Sequence, residues 1–322
     1  MSDPWPQARL HVVTGKGGTG KTTVAAALAL ALAADGRRAL LVEVEGRQGI
    51  AQLFDAPPLP YEERRIAIAP GGGEVRALAV DAEAALLDYL EMFYNLRRAG
   101  KALNRFGAID FATTIAPGMR DVLLTGKVKE AVTRTEKGRR VYDAVVLDAP
   151  PTGRITRFLN VSAEVAGLAK VGPIKTQSDG VMAVLRSSQT AVHVVTLLEE
   201  MPVQETVDAV AELRASGLPV GSVIVNMVRP PLLPQPALAG SIDLADLRAG
   251  LAEAGVPESY APGLAEEAGE HAERWALEDR NRATLSTLDL PTYELPYLPD
   301  TVDLGGLYEL AGLLRDAGIG IR

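Results

Sequence analysis

Hydrophobic and polar positions along the chain define two kinds of segment. Short, nearly continuous apolar runs are rich in valine, leucine and isoleucine, and longer stretches between them carry apolar residues at helical spacing. The apolar runs, interpreted as strands, are 9–14, 39–44, 75–81, 142–148, 191–197, 221–226 and 292–295. Helical patterns lie near 23–35, 202–216 and 303–318. Because the apolar runs show little polar alternation, we predict an α/β fold with a mostly parallel twisted sheet and helices on both faces.

Two segments are too long to be simple crossover connections. Residues 82–138 and 154–189 each carry helical patterns and flank one predicted strand. We predict that they form a helical subdomain inserted into a single domain that spans 1–322. A proline-rich stretch at 229–240 predicts a loop, and the acidic stretch 241–286 that follows it has helical spacing.

The segment between the first predicted strand and the first predicted helix reads GKGGTGKTT. It fits the phosphate-loop pattern G-x-x-x-x-G-K-T in the strand–loop–helix context that the motif requires, so we expect a P-loop NTPase. Glycines let backbone N–H groups turn toward phosphate oxygens, and the helix N-terminus adds partial positive charge. Lys21 is expected to reach the terminal phosphates, and the Thr22 hydroxyl to bind Mg²⁺. The residues of this loop expected to bind nucleotide are Gly15, Gly17, Gly18, Thr19, Gly20, Lys21, Thr22 and Thr23.

Composition excludes several classes of site. The chain has no cysteine, which excludes disulfides, cysteine-ligated metal centres and thiol nucleophiles. Its net charge of −8 argues against a nucleic acid partner. The longest apolar run, 24–34, is shorter than the roughly 20 residues of a membrane-spanning helix. We expect a cytoplasmic protein, with peripheral membrane association left open. His11 and His193 lie within apolar runs and are interpreted as core residues.

A second lysine in the loop, Lys16, is not needed by the phosphate-loop motif. The form K-G-G-x-G-K-T-T resembles the deviant phosphate loop of a class of dimeric ATPases. The segment DAPPTGRITRFL resembles the second switch, D-x-x-P-T-G-H-T-x-R-x-L, of the arsenite-pump and tail-anchored-protein-targeting ATPases. This resemblance covers nearly the whole chain, and within it the sequence looks like the single-half, actinobacterial anion-transporting type. It implies that Lys16 reaches the nucleotide of a partner subunit, in a homodimer or in a heterodimer with a sister subunit.

The resemblance also implies further catalytic residues. Asp148 matches the aspartate that holds a Mg²⁺-bound water, and Glu45 takes the position of an aspartate that orients the attacking water. With Lys16 and Lys21, these two carboxylates form the predicted catalytic set. The sequence departs from the family pattern at Glu45, where the family has aspartate, and at Arg154, where the family has histidine. Because a carboxylate displaced by about 1 Å can lower a rate strongly, we expect slow or partner-dependent hydrolysis.

The base-binding residues are implied by two later segments. VIVNMV resembles a strand end whose asparagine reads the adenine edge, which selects Asn226. ELPYLPDTVDL resembles an adenine loop, which selects Pro296, Pro299 and Asp300. Since no guanine-reading N-K-x-D or T-K-x-D motif follows the sixth predicted strand, ATP is favoured over GTP.

The function favoured by these patterns is a dimeric Mg²⁺-dependent ATPase whose nucleotide state controls a helical surface for a protein or membrane-associated client. Apolar residues such as Leu90, Met92, Phe93 and Met119 are candidates for a groove that binds a hydrophobic client, although a helical apolar stripe is also typical of an ordinary core. Arsenite pumping by this chain is excluded, because As(III) requires thiolate ligands. Two alternatives stay open, a non-catalytic nucleotide-binding subunit and a partition-type ATPase acting on a surface.

Overall fold

A computed structural model describes residues 4–85, 87–88, 119–168, 173–239, 242–299 and 302–320. Its strands are β1 (Leu10–Gly15), β2 (Arg38–Glu43), β3 (Arg64–Ala69), β4 (Gly73–Ala79), β5 (Thr135–Glu136), β6 (Arg139–Arg140), β7 (Ala144–Asp148), β8 (Thr190–Thr196), β9 (Val220–Val228) and β10 (Thr292–Pro296). Its α-helices are α1 (Lys21–Ala33), α2 (Gly49–Leu53), α3 (Met119–Thr133), α4 (Thr152–Leu168), α5 (Pro173–Leu185), α6 (Glu200–Ala215), α7 (Gln235–Leu238), α8 (Leu244–Glu253), α9 (Ala261–Ser286) and α10 (Leu304–Asp316). A 3₁₀ turn at Glu258–Tyr260 joins α8 to α9.

Eight of these strands form one sheet in the order β10-β9-β8-β1-β7-β2-β4-β3. All neighbouring pairs are parallel except β3 and β4, and β5 pairs with β6 in a separate small hairpin. The predicted α/β class and mostly parallel sheet are thereby confirmed. The sequence reasoning missed β3, an antiparallel edge strand whose run RRIAIA alternates exposed and buried positions and lacks the continuous apolar character of the other strands.

Successive residues of the central strands enter two different hydrophobic cores, because side chains alternate across a sheet. On β1, Leu10 and Val12 belong to one core and Val13 to the other. The core that contains Val13 is formed mainly with α1 and α10. Helix α1 is buried on every side from Val24 to Ala33, since it lies between the sheet and α10, and its alanines allow that close packing. No helix in the described part of the chain is both long and apolar enough to cross a membrane.

Helices α3, α4 and α5 pack against one another and contribute to the core on the opposite face of the sheet. They are the described part of the two segments predicted as an inserted helical subdomain. Of the proposed groove residues, Leu90, Met92 and Phe93 lie outside the described residues. The client groove and the single-domain assignment therefore stay predictions.

The two histidines interpreted as core residues are adjacent in space. His11 Nδ1 lies 3.1 Å from His193 Nε2, and His193 Nδ1 lies 2.8 Å from the Ser222 hydroxyl. Both rings are buried, and the Trp5 ring packs edge-on against His193. Burial, with a smaller contribution from His11, holds the pKa of His193 well below its usual value. The pair forms a buried polar contact between β1 and β8, and no group of three His, Cys, Asp or Glu residues suited to a metal ion occurs among the residues described.

Candidate active site

The phosphate loop joins the end of β1 to the start of α1 at the carboxyl edge of the sheet. Gly15 ends β1, and a Cβ at this position would overlap the carbonyl oxygen of Val195 on neighbouring β8. Gly20 adopts a left-handed conformation with φ of 82°, and a Cβ there would overlap the side chain of Asn226. The loop conformation therefore requires glycine at both ends.

Contacts within the loop fix its two lysines relative to each other. The Thr19 hydroxyl donates to the Lys16 carbonyl at 2.9 Å, and Lys21 Nζ donates to the same carbonyl at 3.4 Å. Gly17 and Gly18 between them are exposed, with open space where a Cβ would be. The Lys21 side chain therefore lies across the loop, with its ammonium at the Lys16 carbonyl.

Thr22, at the start of α1, and Asp148, at the end of β7, are joined by a hydrogen bond of 2.7 Å from Oγ1 to Oδ2. The parallel register places Asp148 beside Val13 of β1 and Glu43 of β2. Burial raises the pKa of Asp148 to about 6, although the Thr22 hydrogen bond and the charge of Lys21 act in the opposite direction. The two oxygen groups predicted to bind Mg²⁺ are thus adjacent.

The Lys21 ammonium lies among carboxylates. Burial lowers its pKa from the usual value, while the charges of Asp148 and Glu45 act to raise it. Three of the four residues predicted as catalytic are therefore electrostatically coupled at this edge of the sheet.

Glu43, which was not predicted, shapes the loop that carries Glu45. Its side chain is buried, and its two oxygens accept hydrogen bonds from the backbone N–H of Gln48 at 2.6 Å and of Ile50 at 3.2 Å. Helix α2 starts at Gly49, so Glu43 anchors the start of this short helix. The sequence contained a signal for this role, because Glu43 ends an apolar strand just as Asp148 does.

The side chain of Glu45 faces two arginines. Arg47 Nε lies 3.8 Å from its Oε2, and Arg154 Nη1, in the first turn of α4, lies 3.9 Å from its Oε1. Glu45 is mostly buried, with 18% of its side chain exposed, whereas Arg154 is 65% exposed. Two positions that depart from the resembled motifs thus face each other.

Lys16 is paired within its own chain. Its Nζ lies 2.8 Å from Oε1 of Glu205 on α6, and Oε2 of Glu205 accepts a hydrogen bond of 3.4 Å from the hydroxyl of Thr152, the first residue of α4. Thr152 is buried and follows Asp148 by four positions. Glu205 lies in the helical pattern near 202–216 and was not predicted as a site residue.

Asn226 and Pro296 line one cavity of about 240 Å³ at the end of β9 and β10, as the base-site prediction requires. The cavity is lined by Thr23, Asn226, Met227, Pro296, Tyr297, Leu298, Val302 and Leu310. Asn226 is buried, and its Nδ2 donates to the Thr19 carbonyl at 3.0 Å. The Asn226 side chain therefore joins the cavity to the phosphate loop, a contact that was not predicted.

Two other predicted base-site residues are placed differently. Pro299 is exposed and is not among the residues that line the cavity, and Asp300 lies outside the described residues. Tyr297, within the predicted loop but not singled out, lines the cavity, and the Arg229 guanidinium stacks 4.7 Å from the centre of its ring. Tyr297 therefore provides an aromatic wall of this cavity.

The chain is similar to known ATPases over most of its length. Residues 8–187, more than half of the chain, match the sequence model of a family described as anion-transporting ATPase. ATPase BagA of Mycobacterium tuberculosis is 57% identical over 98% of this chain and 96% of its own length. ATPase GET3 of Kluyveromyces lactis is 26% identical over 67% of this chain and 71% of its own. The arsenical pump-driving ATPase of Acidiphilium multivorum is 26% identical over 92% of this chain and 53% of its own. The chain therefore belongs to the anion-transporting ATPase family and is an ATPase.

Proposed function

We propose that this ATPase hydrolyses ATP with Mg²⁺ bound beside Thr22 and Asp148, and that it works as a dimer with nucleotide between the subunits. The observation that carries the catalytic part is the hydrogen bond of 2.7 Å between the Thr22 hydroxyl and the Asp148 carboxylate. It brings two oxygen atoms able to bind a metal ion, from different elements, to the N-terminus of α1, next to Lys21. Family membership favours hydrolysis over a non-catalytic subunit.

The residues present fit both ligands. A hydroxyl and a carboxylate are ligands that suit Mg²⁺, with Asp148 acting through water. A glycine-dependent loop at a helix N-terminus, with a lysine across it, suits phosphate oxygens. When bound, Mg²⁺ would neutralise charge on the terminal phosphates.

The carboxylates and lysines would then divide the work. Lys21 would hold the terminal phosphates and offset their charge. Glu45 would orient the attacking water and accept its proton, since it is the less buried carboxylate of the site. Glu43 cannot serve this purpose, because both its oxygens already accept backbone hydrogen bonds.

The cavity at Asn226, Pro296 and Tyr297 would bind the adenine base. An aromatic ring and a proline provide apolar contact with a planar base, and the buried amide of Asn226 provides polar contact. Because Asn226 also donates to the Thr19 carbonyl, base binding and loop conformation would be coupled.

The dimer is proposed from Lys16, whose role in its own loop is unassigned because Lys21 already lies across the loop. The relatives named GET3 and arsenical pump-driving ATPase support membership of a family for which we expect paired nucleotide sites. The partner would be a second copy or a sister subunit. Nucleotide state would act on the start of α4, and through α4 on the surface formed with α3 and α5, where a hydrophobic protein or membrane-associated client would bind.

Molar mass by light scattering tests this proposal, in ADP and in a non-hydrolysable ATP analogue with Mg²⁺. We expect analogue-dependent dimerisation of the wild type, its loss in Lys16→Ala, and no change in the control Lys137→Ala, which lies in an exposed turn. In parallel, Glu45→Gln should bind nucleotide but hydrolyse it slowly. A wild type that stays monomeric in the analogue would overturn the homodimer, and hydrolysis unaffected by Glu45→Gln would overturn the role of Glu45.

A further inference from the structure

Glu205 contacts two parts of the site at once. Through Oε1 it pairs with Lys16 of the phosphate loop at 2.8 Å, and through Oε2 it accepts the Thr152 hydroxyl at 3.4 Å. The first contact reaches the loop before α1, and the second reaches the helix that follows Asp148. One carboxylate on α6 therefore bridges the two segments that flank the phosphate site.

The bridge directs Lys16 toward α6. The carboxylate at 2.8 Å competes for the ammonium with phosphate oxygens, whether of its own nucleotide or of a partner's. The Lys16 and Glu205 side chains are 32% and 37% exposed, so water can replace the contact without a large desolvation penalty. The contact is thus strong enough to bias Lys16 and weak enough to be broken by nucleotide.

A second contact between α4 and α6 allows the ion pair of Glu205 to be distinguished from helix packing. The Thr156 hydroxyl on α4 donates to Oε2 of Glu212 on α6 at 3.3 Å, one turn further along α4 and two turns further along α6. Both contacts tie α4 to α6, but only Glu205 also has an ion pair with a loop lysine among the ion pairs in the described part of the chain. Glu212 is therefore a matched control for a role in helix packing alone.

We infer that Glu205 is a positioning residue for ATP hydrolysis, which holds Lys16 within its own subunit and couples the release of Lys16 to the start of α4. When Lys16 moves to phosphate, Glu205 loses its ion pair. The geometry of its hydrogen bond with Thr152 then changes, because the lysine no longer fixes the carboxylate. Movement of a lysine in the loop is thereby transmitted to the helix that carries Arg154. This inference rests on the proposed function for its consequence in the dimer, but the hold on Lys16 belongs to the single subunit.

The test uses full-length protein and measures the reactivity of Lys16 directly. An amine-reactive label and mass spectrometry would give the labelling rate of Lys16 without nucleotide, with the exposed Lys137 as internal reference, in wild type, Glu205→Gln and Glu212→Gln. We expect labelling of Lys16 to rise about two- to fivefold in Glu205→Gln, the range for a part-exposed ion pair, and to be unchanged in Glu212→Gln. Equal rates in wild type and Glu205→Gln would overturn the inference, as would an equal rise in both variants.

The nucleotide arm separates this inference from the proposed function. With the ATP analogue, Glu205→Gln should dimerise at a lower protein concentration than wild type, with Glu205→Asp in between and Glu212→Gln at the wild-type value. The double variant Lys16→Gln/Glu205→Gln should behave as Lys16→Gln, because the carboxylate acts through the lysine. A wild type that never dimerises overturns the proposed dimer, and the labelling rates alone then decide whether Glu205 holds Lys16. An unchanged dimerisation midpoint in Glu205→Gln, in a wild type that does dimerise, overturns the coupling.

Discussion

Arg154 and Glu45 face each other, with Nη1 of the arginine 3.9 Å from Oε1 of the glutamate. They come from different elements, the first turn of α4 and the loop after β2. Each differs from the motif that the sequence resembles, since the pattern has histidine and aspartate at these positions. The longer carboxylate and the longer cation therefore occur as a pair.

We predict that the two substitutions toward the family pattern depend on each other. Glu45→Asp and Arg154→His should each lower the steady-state hydrolysis rate about two- to fivefold, the range for a part-exposed ion pair of about 0.2–1 kcal/mol. The double variant should lose less than the product of the two effects, because each single substitution already removes the same contact. A double-mutant cycle of hydrolysis rates measures this, with Arg157→His on the same helix as control. Strictly multiplicative losses would show that the pair has no functional coupling.

We predict that the ionised Asp148 carboxylate lowers the stability of the fold but is required for hydrolysis. Its folded-state pKa of about 6 lies above the ordinary value of 3.8 for an unfolded aspartate, so the folded state holds the proton more tightly. Its contribution to stability is thus greatest below about pH 4 and is lost as the pH rises through about 6, which amounts to about 3 kcal/mol. Asp148→Asn should therefore raise the free energy of unfolding by about 2–3 kcal/mol above pH 6 while removing hydrolysis.

Urea unfolding without nucleotide or Mg²⁺ measures the stability of this variant across the pH range. Asp143→Asn, just before the start of the same strand, is the control, since Asp143 accepts a hydrogen bond from the Arg38 backbone and its loss should lower stability slightly. If Asp148→Asn is less stable than wild type at neutral pH, the buried charge is better stabilised than its surroundings indicate.

Substitution of Glu43 and of Glu45 should have different effects on stability and activity, although the two residues are only two positions apart. Glu43→Gln replaces one of two buried oxygen acceptors with an N–H donor that faces a backbone N–H, so it should destabilise the protein by about 1–3 kcal/mol and also lower activity. Glu45→Gln should leave stability within about 0.5 kcal/mol and lower activity alone. Thermal unfolding and hydrolysis on the same samples distinguish the two. Similar unfolding midpoints for both variants would mean that Glu43 does not anchor the loop.

Asn226→Ala should weaken the binding of nucleotides, whichever base they carry. Its amide donates to the Thr19 carbonyl at 3.0 Å, so its loss should disturb the phosphate loop as well as the base cavity. We expect ATP, GTP and inorganic triphosphate all to bind about five- to tenfold more weakly, since a buried hydrogen bond contributes about 1 kcal/mol and its loss leaves the Thr19 carbonyl without this donor. Calorimetry on the three ligands measures this. A loss confined to ATP would show that Asn226 acts chiefly on adenine, as first predicted.

Acid should destabilise the protein through His193. Its folded-state pKa lies well below the ordinary 6.5, so the neutral ring contributes stability that is fully present above about pH 6.5 and is lost as the pH falls. The slope approaches about 1.4 kcal/mol per pH unit for one proton. His193→Gln should have a flatter profile than wild type between about pH 5 and pH 6.5. Parallel profiles for wild type and His193→Gln would rule out this role.

The strands and the phosphate loop could be predicted from the sequence because their signals are local. A parallel strand buried on both faces needs an uninterrupted apolar run, and a loop that turns backbone N–H groups inward needs glycines at fixed spacing. Gly15, Lys21 and Thr22 were identified in this way and Asp148 from the family resemblance, and the structure brings them together. The strand β3 escaped because an antiparallel edge strand exposes alternate residues and has no comparable signal.

Tertiary structure alone decided which side chains share an environment. Glu205 is an ordinary acidic residue in the sequence, and only the packing of α6 beside the phosphate loop and α4 gives it Lys16 and Thr152 as partners. The pairing of His11 with His193 has the same origin, since strand register joins residues that are 182 positions apart. Spacing along the chain specifies backbone conformation, whereas hydrogen bonds and ion pairs between distant residues depend on the register of strands and the packing of helices, which no local pattern records.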